Sequence, residues 1–276
     1  MIEIRSLYLD LMKKAVSGAV YAEKPIGRLH QTLPARRWQK SLYTSTRSTL
    51  EHYGLSLMRL YRSDLKIVAE GTHYNEVAFS MIGMKRLDNL QFCCEEVIRN
   101  RVPGDFIETG VWRGGAVIFM RAVLKAYGID DRTVWAADSF CGLPPPNPAK
   151  YPADRGDHLH THDELRVSLE DVKSNFSAFG LLDSQVMFLK GWFSETLSTA
   201  PIARLAVLRL DGDMYESTMD ALTCLYPKLS RGGYVIIDDY ALPGCHKAVD
   251  DFRARCAIKE EMKRIDWSGV YWQRAD

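Results

Sequence analysis

The chain has 276 residues, 46% of them hydrophobic and 26% charged, the balance of a soluble globular protein able to bury a full core. Its 36 Lys and Arg against 35 Asp and Glu leave a formal net charge of +1, so no overall field attracts nucleic acid or an anionic membrane. No run approaches the roughly 18 apolar residues of a membrane span, the N-terminus fits no export signal, and six cysteines without CxxC or zinc-ligand spacing read as reduced thiols of a cytoplasmic protein.

Residues 1–100 are basic, rich in Tyr, Arg and Leu, and predict a helical N-terminal extension. Apolar residues at three- and four-residue spacings predict helices over Leu57–Val68 and within Glu76–Asn100. Between them and the start, Leu29–Ser48 has many Arg, Thr and Ser and no period; it reads either as a lid over a site or as a packing and dimerisation segment. From Pro103 the pattern changes. Short apolar runs at Asp105–Thr109, Thr133–Ser139, Ser184–Lys190, Leu205–Asp211 and Tyr234–Asp239 alternate with helical patterns near 114–128, 165–180 and 214–229. Such alternation predicts βαβ units and a parallel sheet covered by helices on both faces. After a helix over Cys245–Cys256, the segments Glu260–Asp266 and Val270–Arg274 flank Trp267-Ser-Gly as a closing hairpin at a sheet edge. The chain thus divides into an extension over 1–100 and an α/β domain over 101–276.

In open α/β sheets ligands bind beyond the carboxyl ends of the strands, which makes those ends the candidate site. The first is Glu108-Thr-Gly110-Val-Trp-Arg-Gly114-Gly115, with glycines for a tight turn and a helix N-terminus behind them. A dinucleotide fingerprint needs glycine where Trp112 stands, and an indole there obstructs a pyrophosphate. The acid two residues before Gly110 suits a ligand with a cationic amino group; S-adenosylmethionine carries an ammonium and a sulfonium and no phosphate. Asp138 lies 28 residues beyond Gly110, near the place where an acid holds both ribose hydroxyls, although capping a turn is its structural alternative. The third strand ends in Gly191-Trp192-Phe193, aromatics that border an adenine or belong to the core.

The last two strands close on Asp211-Gly-Asp213 and Asp238-Asp239. Four carboxylates at neighbouring termini repel one another, and their pKa values rise unless a cation is present. Oxygen-only ligands at an open site suit Mg²⁺ or another hard divalent ion; solvated acids in turns are the alternative, Asp-Gly being a common turn dipeptide. The loop Leu143–Asp163 holds five prolines, three aspartates and three histidines, His158, His160 and His162. Loops of this length are commonly functional, and a neutral histidine there serves as a base or binds substrate hydroxyls; an exposed loop without a role is the other reading.

Taken in order, Ser80–Leu90, Glu108–Gly115, Asp138–Pro144, Val167–Phe176, Lys190–Leu197, Leu210–Thr218 and Ile237–Tyr240 resemble the TylF-type macrocin O-methyltransferase family, which includes the mycinamicin and novobiocin sugar O-methyltransferases. The resemblance runs from about Ser80 to Lys247, and the first 75 residues match less well. It implies a Rossmann-like class I methyltransferase fold, mainly parallel with an antiparallel edge hairpin. It further implies an S-adenosyl-L-methionine- and Mg²⁺-dependent transfer of methyl to a hydroxyl on a deoxysugar of a glycosylated antibiotic. By position Asp211, Asp238 and Asp239 match the metal ligands and Asp213 the base, with His158 or His160 as alternative bases. The cofactor contacts implied are Ser80, Met81, Glu108, Thr109, Gly110, Val111, Trp112, Arg113, Gly114, Asp138, Ser139, Phe140, Gly191 and Trp192. A homodimer or larger oligomer with a small glycoside as its acceptor is expected. Two other classes remain open at this stage: a metal-dependent methyltransferase of catechol-type diols, and a non-catalytic S-adenosylmethionine-binding protein.

Overall fold

The computed structural model describes residues 2–21, 26–28, 49–50, 52–53, 58–60, 65–72 and 77–275. The loop Leu29–Ser48, with the choice between lid and packing segment, lies outside the described residues. Helix α1 (Ile2–Val16) opens the chain, two short strands β1 (Ile26–Arg28) and β2 (Met58–Leu60) pair antiparallel, and helices α2 (Leu65–Glu70) and α3 (Met84–Arg99) follow. The helix expected over Leu57–Val68 is therefore corrected to a strand at 58–60 and a helix from Leu65. Its strand pairs with residues some thirty positions upstream, and such a distant partner overrides local periodicity. The helix expected within Glu76–Asn100 starts only at Met84. Phe79 and Ser80 instead donate their backbone N–H to the Val16 carbonyl at 2.8 and 3.0 Å. At Gly83, a Cβ would sit 2.3 Å from the backbone nitrogen of Gly71.

The remaining elements follow the predicted alternation: β3 (Asp105–Thr109), α4 (Gly115–Tyr127), β4 (Val134–Asp138), α5 (Leu169–Ala178), β5 (Val186–Lys190), the single turn α6 (Phe193–Thr196), β6 (Leu205–Leu210), α7 (Tyr215–Leu225), β7 (Leu229–Ile237), α8 (Pro243–Arg255), β8 (Lys263–Arg264) and β9 (Val270–Gln273). They form one seven-stranded sheet in the order β5-β4-β3-β6-β7-β9-β8. The first five strands are parallel, and β9 and β8 close the edge antiparallel.

Successive strand residues point to opposite faces, and the burial follows that period. Phe106, Val134 and Ala136 join one core with Leu9 and Val16 of α1, Leu87 and Leu90 of α3, and most of α4. Ile107, Trp135 and Ala137 join the other with α7 and α8. The extension therefore packs into the same core as the sheet. Strand β6 is buried at all six positions although it includes Arg209.

The chain runs from β3 outward through β4 and β5, then returns to β6 and runs the other way. This reversal opens a crevice beyond the carboxyl ends of β3 and β6. Gly110 sits at its floor with φ +86°, and a Cβ there would lie 1.6 Å from the carbonyl oxygen of Asp211. Gly110 thus lets two strand ends meet, which a side chain would forbid. Replacing Gly110 by Ala should remove about 3–5 kcal/mol of stability or prevent folding. Gly128→Ala, also at positive φ but with nothing within 4 Å, should lose only about 1–2 kcal/mol. Urea unfolding of both variants measures the contrast, and equal losses would refute the close-approach account.

Candidate functional site

A cavity of about 620 Å³ lies over the carboxyl ends of the parallel strands, within the size range of small-molecule sites. At one end is the loop after β3. Its shape is set by Asp138 at the end of β4, whose carboxylate accepts the backbone N–H of Val111 at 2.6 Å and of Phe140 at 2.7 Å. Burial raises the Asp138 carboxyl, and these N–H groups oppose the rise. Trp112 adopts φ 47°, and its indole N–H donates to the Glu164 carbonyl at 2.8 Å.

Of the expected cofactor contacts, Ser80, Met81, Glu108, Gly110, Val111, Trp112, Asp138, Ser139, Gly191 and Trp192 line the cavity. Thr109, Arg113, Gly114 and Phe140 do not, and each has a structural reason. The Thr109 side chain, in strand β3, is fully buried. Arg113 turns away to donate to the Ala78 carbonyl at 2.9 Å. Gly114 occupies the N-cap of α4 at φ 92°, and Phe140 packs edge-on against Phe188.

At the other end of the cavity, one oxygen each from Asp211, Asp238 and Asp239 lies within 4.8 Å of the others. These groups stand at the ends of β6 and β7, which are adjacent parallel strands. Asp213 lines the cavity beside them. Its φ is 58°, and its backbone N–H donates to Asp239 Oδ2 at 3.2 Å. Burial, reinforced by repulsion from Asp211 and Asp238, pushes the Asp213 carboxyl up to about 8. Burial, and then Asp213, hold Asp239 well above the usual carboxylate range.

Two arginines that the sequence reading passed over are built into this cluster. Arg209, near the carboxyl end of buried β6, stands in register beside Glu108 on β3. One of its nitrogens binds Glu108 Oε1 and also Asp211 Oδ2 at 2.9 Å; the other binds Asp238 Oδ1 at 2.5 Å. Arg86 on α3 holds Asp238 Oδ2 at 2.5 Å and Asp266 Oδ2 at 2.7 Å. Both Asp238 oxygens are thus engaged by guanidinium groups. The signals in the sequence were a charge inside an apolar strand, and a charge on the apolar stripe of α3 that continues through Leu90, Cys93 and Val97. Even so, Glu108, Asp211, Asp213, Asp238, Asp239 and Asp266 outnumber the two arginines. Burial pushes Glu108 up to about 8 against the pull of Arg209. Glu108 Oε2 and Arg86 Nη2 are buried without a hydrogen-bond partner among the described residues.

The histidine loop borders the site through its first residues and not through its histidines. His158 and His160 are not among the cavity-lining residues. The loop folds into short 3₁₀ turns, anchored where buried Asp154 accepts the backbone N–H of Tyr215 at 2.7 Å and of Glu216 at 3.1 Å, capping α7. Its Gly142–Pro145 stretch lines the cavity instead. Asp220 on α7 and Thr72 also line it, outside every motif of the family resemblance. So do Glu216 from the Leu210–Thr218 segment and Trp267 from the hairpin turn, neither of which was expected at the site.

The family description Macrocin-O-methyltransferase (TylF) matches residues 5–274. Demethyldecarbamoylnovobiocin O-methyltransferase of Streptomyces niveus is 50% identical over 271 residues, covering 98% of this chain and 94% of the relative. 8-Demethyl-8-(2,3-dimethoxy-alpha-L-rhamnosyl)-tetracenomycin-C 4'-O-methyltransferase of Streptomyces olivaceus is 47% identical over 272 residues, 98% of this chain and 94% of that relative. The solved structure of the O-methyltransferase NovP superposes with a TM-score of 0.83 at 48% identity, covering 99% of this chain and all of that one.

The raised carboxyls predict how stability depends on pH. An acid whose folded pKa lies above its unfolded value holds its proton more tightly when folded. Its contribution is full below the unfolded pKa and is lost as pH rises through the folded one. For Glu108 and Asp213 that window runs from about 4 to about 8. With divalent ions chelated, Tm should therefore fall between pH 6 and pH 8, and millimolar Mg²⁺ should recover more of it at pH 8 than at pH 6. A Tm that does not fall across this range would refute the account.

Proposed function

The chain belongs to the TylF macrocin O-methyltransferase family and is an O-methyltransferase of the class I fold, and from that premise we propose that it methylates a hydroxyl on a deoxysugar of a glycosylated natural product. The donor is S-adenosyl-L-methionine, and Mg²⁺ is bound at the acid cluster. The observation that carries this reading is the convergence of the Asp211, Asp238 and Asp239 oxygens within 4.8 Å in the same cavity as the loop after β3. The Streptomyces olivaceus relative is named for a substrate that carries a rhamnosyl group, a sugar of the proposed class.

The residues present fit both groups. For the donor, the unpartnered Glu108 Oε2 offers an acceptor to an ammonium. Asp138 lines the cavity as an acceptor for a ribose hydroxyl, its carboxylate oriented by the N–H groups it already accepts. For the metal, Asp211, Asp238 and Asp239 form an all-oxygen set of the kind hard divalent ions take, in a cluster whose carboxylates outnumber Arg86 and Arg209. Bound there, Mg²⁺ would act as a Lewis acid that makes the acceptor hydroxyl easier to deprotonate.

Asp213 takes the proton. It lines the cavity beside the proposed ligands, where its carboxylate is placed to act as a general base on the acceptor hydroxyl. Its backbone tie to Asp239 fixes the base relative to the proposed ligands. Alignment for the in-line displacement falls to the rigid strand ends, because the nucleophile must lie roughly 3 Å from the methyl carbon.

A second copy of the chain is the proposed oligomeric partner. Ile4, Leu7 and Leu11 lie on one face of α1 at 74, 65 and 58% exposure, while Leu9, Met12 and Val16 fill the core. Replacing Leu7 and Leu11 by Glu should shift sedimentation from dimer or larger to monomer; a wild type that sediments as a monomer refutes this.

Demethyldecarbamoylnovobiocin, the demethylated rhamnosyl-tetracenomycin and a catechol, each supplied with S-adenosyl-L-methionine, test the acceptor class. A glycoside should gain one methyl by mass spectrometry, EDTA should abolish transfer, and Mg²⁺ should restore it. Methylation of the catechol alone, or indifference to EDTA, would overturn the reading. Asp213→Asn should lower kcat by about 10²–10⁴ with donor affinity intact, measured by calorimetry with S-adenosylhomocysteine.

A further inference from the structure

We propose that Trp267 is the platform on which the acceptor's sugar ring stacks, a specificity-determining contact that rests on the acceptor class proposed above. Trp267 lines the cavity with Asp238 and Asp239, yet its side chain belongs to the exposed large apolar residues of the protein, at 46% exposure. An exposed indole on a mobile turn would mean little. This one is held through its N–H, its carbonyl and its turn.

The turn that carries it, between β8 and β9, is braced by buried polar groups. Asp266 Oδ1 accepts the backbone N–H of Ser268 at 2.9 Å and of Gly269 at 2.7 Å, and its other oxygen is held by Arg86. Ser268 donates its hydroxyl to the Asp238 carbonyl at 2.8 Å, tying the turn to the strand end that bears the acid cluster. The Trp267 carbonyl accepts from Arg264 at 3.1 Å, and the indole N–H donates to the Glu70 carbonyl at 2.9 Å. The Arg86 guanidinium stands over the ring, 5.3 Å from its centroid.

With its N–H committed to Glu70 and one ring face under the Arg86 guanidinium, the indole keeps its opposite, apolar face as the proposed stacking surface. An aromatic face carries negative quadrupole density and attracts the positive edges of other groups. The ring C–H groups of a pyranose present such a surface, and a deoxysugar, lacking a hydroxyl, presents more of it. Position in the sheet selects this occupant. Asp138 and Trp192 belong to the ends of β4 and β5, whereas Trp267 sits between β8 and β9, beyond β7. At about 4.8 Å per strand, β4 and β9 are roughly 19 Å apart. Trp267 therefore stands at the end of the cavity where the reacting hydroxyl is expected, far from the ribose-side acid. The sugar ring that delivers that hydroxyl to Asp213 is the group within the indole's reach.

The test uses the full-length enzyme with S-adenosylhomocysteine and Mg²⁺, titrated with methyl α-L-rhamnopyranoside and followed by saturation-transfer NMR. Trp267→Ala should weaken rhamnoside binding about tenfold, while S-adenosylhomocysteine affinity stays at the wild-type value. Trp267→Phe, which keeps a ring but loses the N–H to Glu70, should stay within about threefold of wild type. If Phe is as damaging as Ala, the indole acts only as a latch on Glu70 and the proposal falls. It falls equally if Ala binds as wild type does, or if wild type does not bind the rhamnoside. Failure of the acceptor reading has a separate signature: wild type that binds S-adenosylhomocysteine but methylates none of the glycosides.

Discussion

A guanidinium buried in the central strand of the sheet is the interaction on which the rest of the site depends. Arg209 is 1% exposed and touches carboxylates from three adjacent strand ends, Glu108, Asp211 and Asp238. A lone charge at that depth is very unfavourable, and removing one partner of such a group typically destabilises by about 3–5 kcal/mol. The arrangement persists because both terminal nitrogens of the guanidinium meet acids. Arg86 repeats the device from the helical extension, linking Asp238 to Asp266 of the closing hairpin. Together the two arginines fix the orientation of Asp238 from both sides, so the cluster is positioned before any ligand arrives.

The same network joins parts of the chain that are far apart in sequence. The extension reaches the site through Arg86 and through the Phe79–Ser80 segment, which crosses the N-terminus of α4. There Gly115 donates its N–H to the Phe79 carbonyl at 2.8 Å, and a Cβ at Gly115 would lie 2.5 Å from the Ser80 side chain. The hairpin reaches the site through Asp266, Ser268 and Trp267. Helix, sheet and hairpin thus share one polar hub, while the apolar cores on the two sheet faces supply the burial that drives folding.

Much of this was legible beforehand. Apolar runs such as Leu205–Asp211 are buried on both faces and so read as continuous strands, and the helices between them carry a clear period. The acids at 211, 213, 238 and 239 stood out because each pair interrupts an apolar run at its end. Other features were hidden for definite reasons. The strand at 58–60 depends on a partner at 26–28, outside any local window. His158 and His160 looked suited to a site because their loop is long, but the loop folds into short turns and neither lines the cavity. Thr109, Arg113, Gly114 and Phe140 belong to the right segments but do not line the cavity. Segment membership does not fix which way a side chain faces: Arg113 is drawn to the Ala78 carbonyl and Phe140 packs on Phe188.

The sequence by itself determined the parallel sheet, its edge hairpin, the position of the site at the strand ends and the identity of most acids there. These follow from hydrophobic periodicity and from where polar residues break it, both local properties of the chain. Tertiary structure alone decided how that charge is balanced and which groups face the cavity. Arg209 meets Glu108 only because β6 lies beside β3, and Arg86 meets Asp238 and Asp266 across 152 and 180 residues of sequence. Electrostatic compensation acts through space at a few ångströms, so no linear pattern records it.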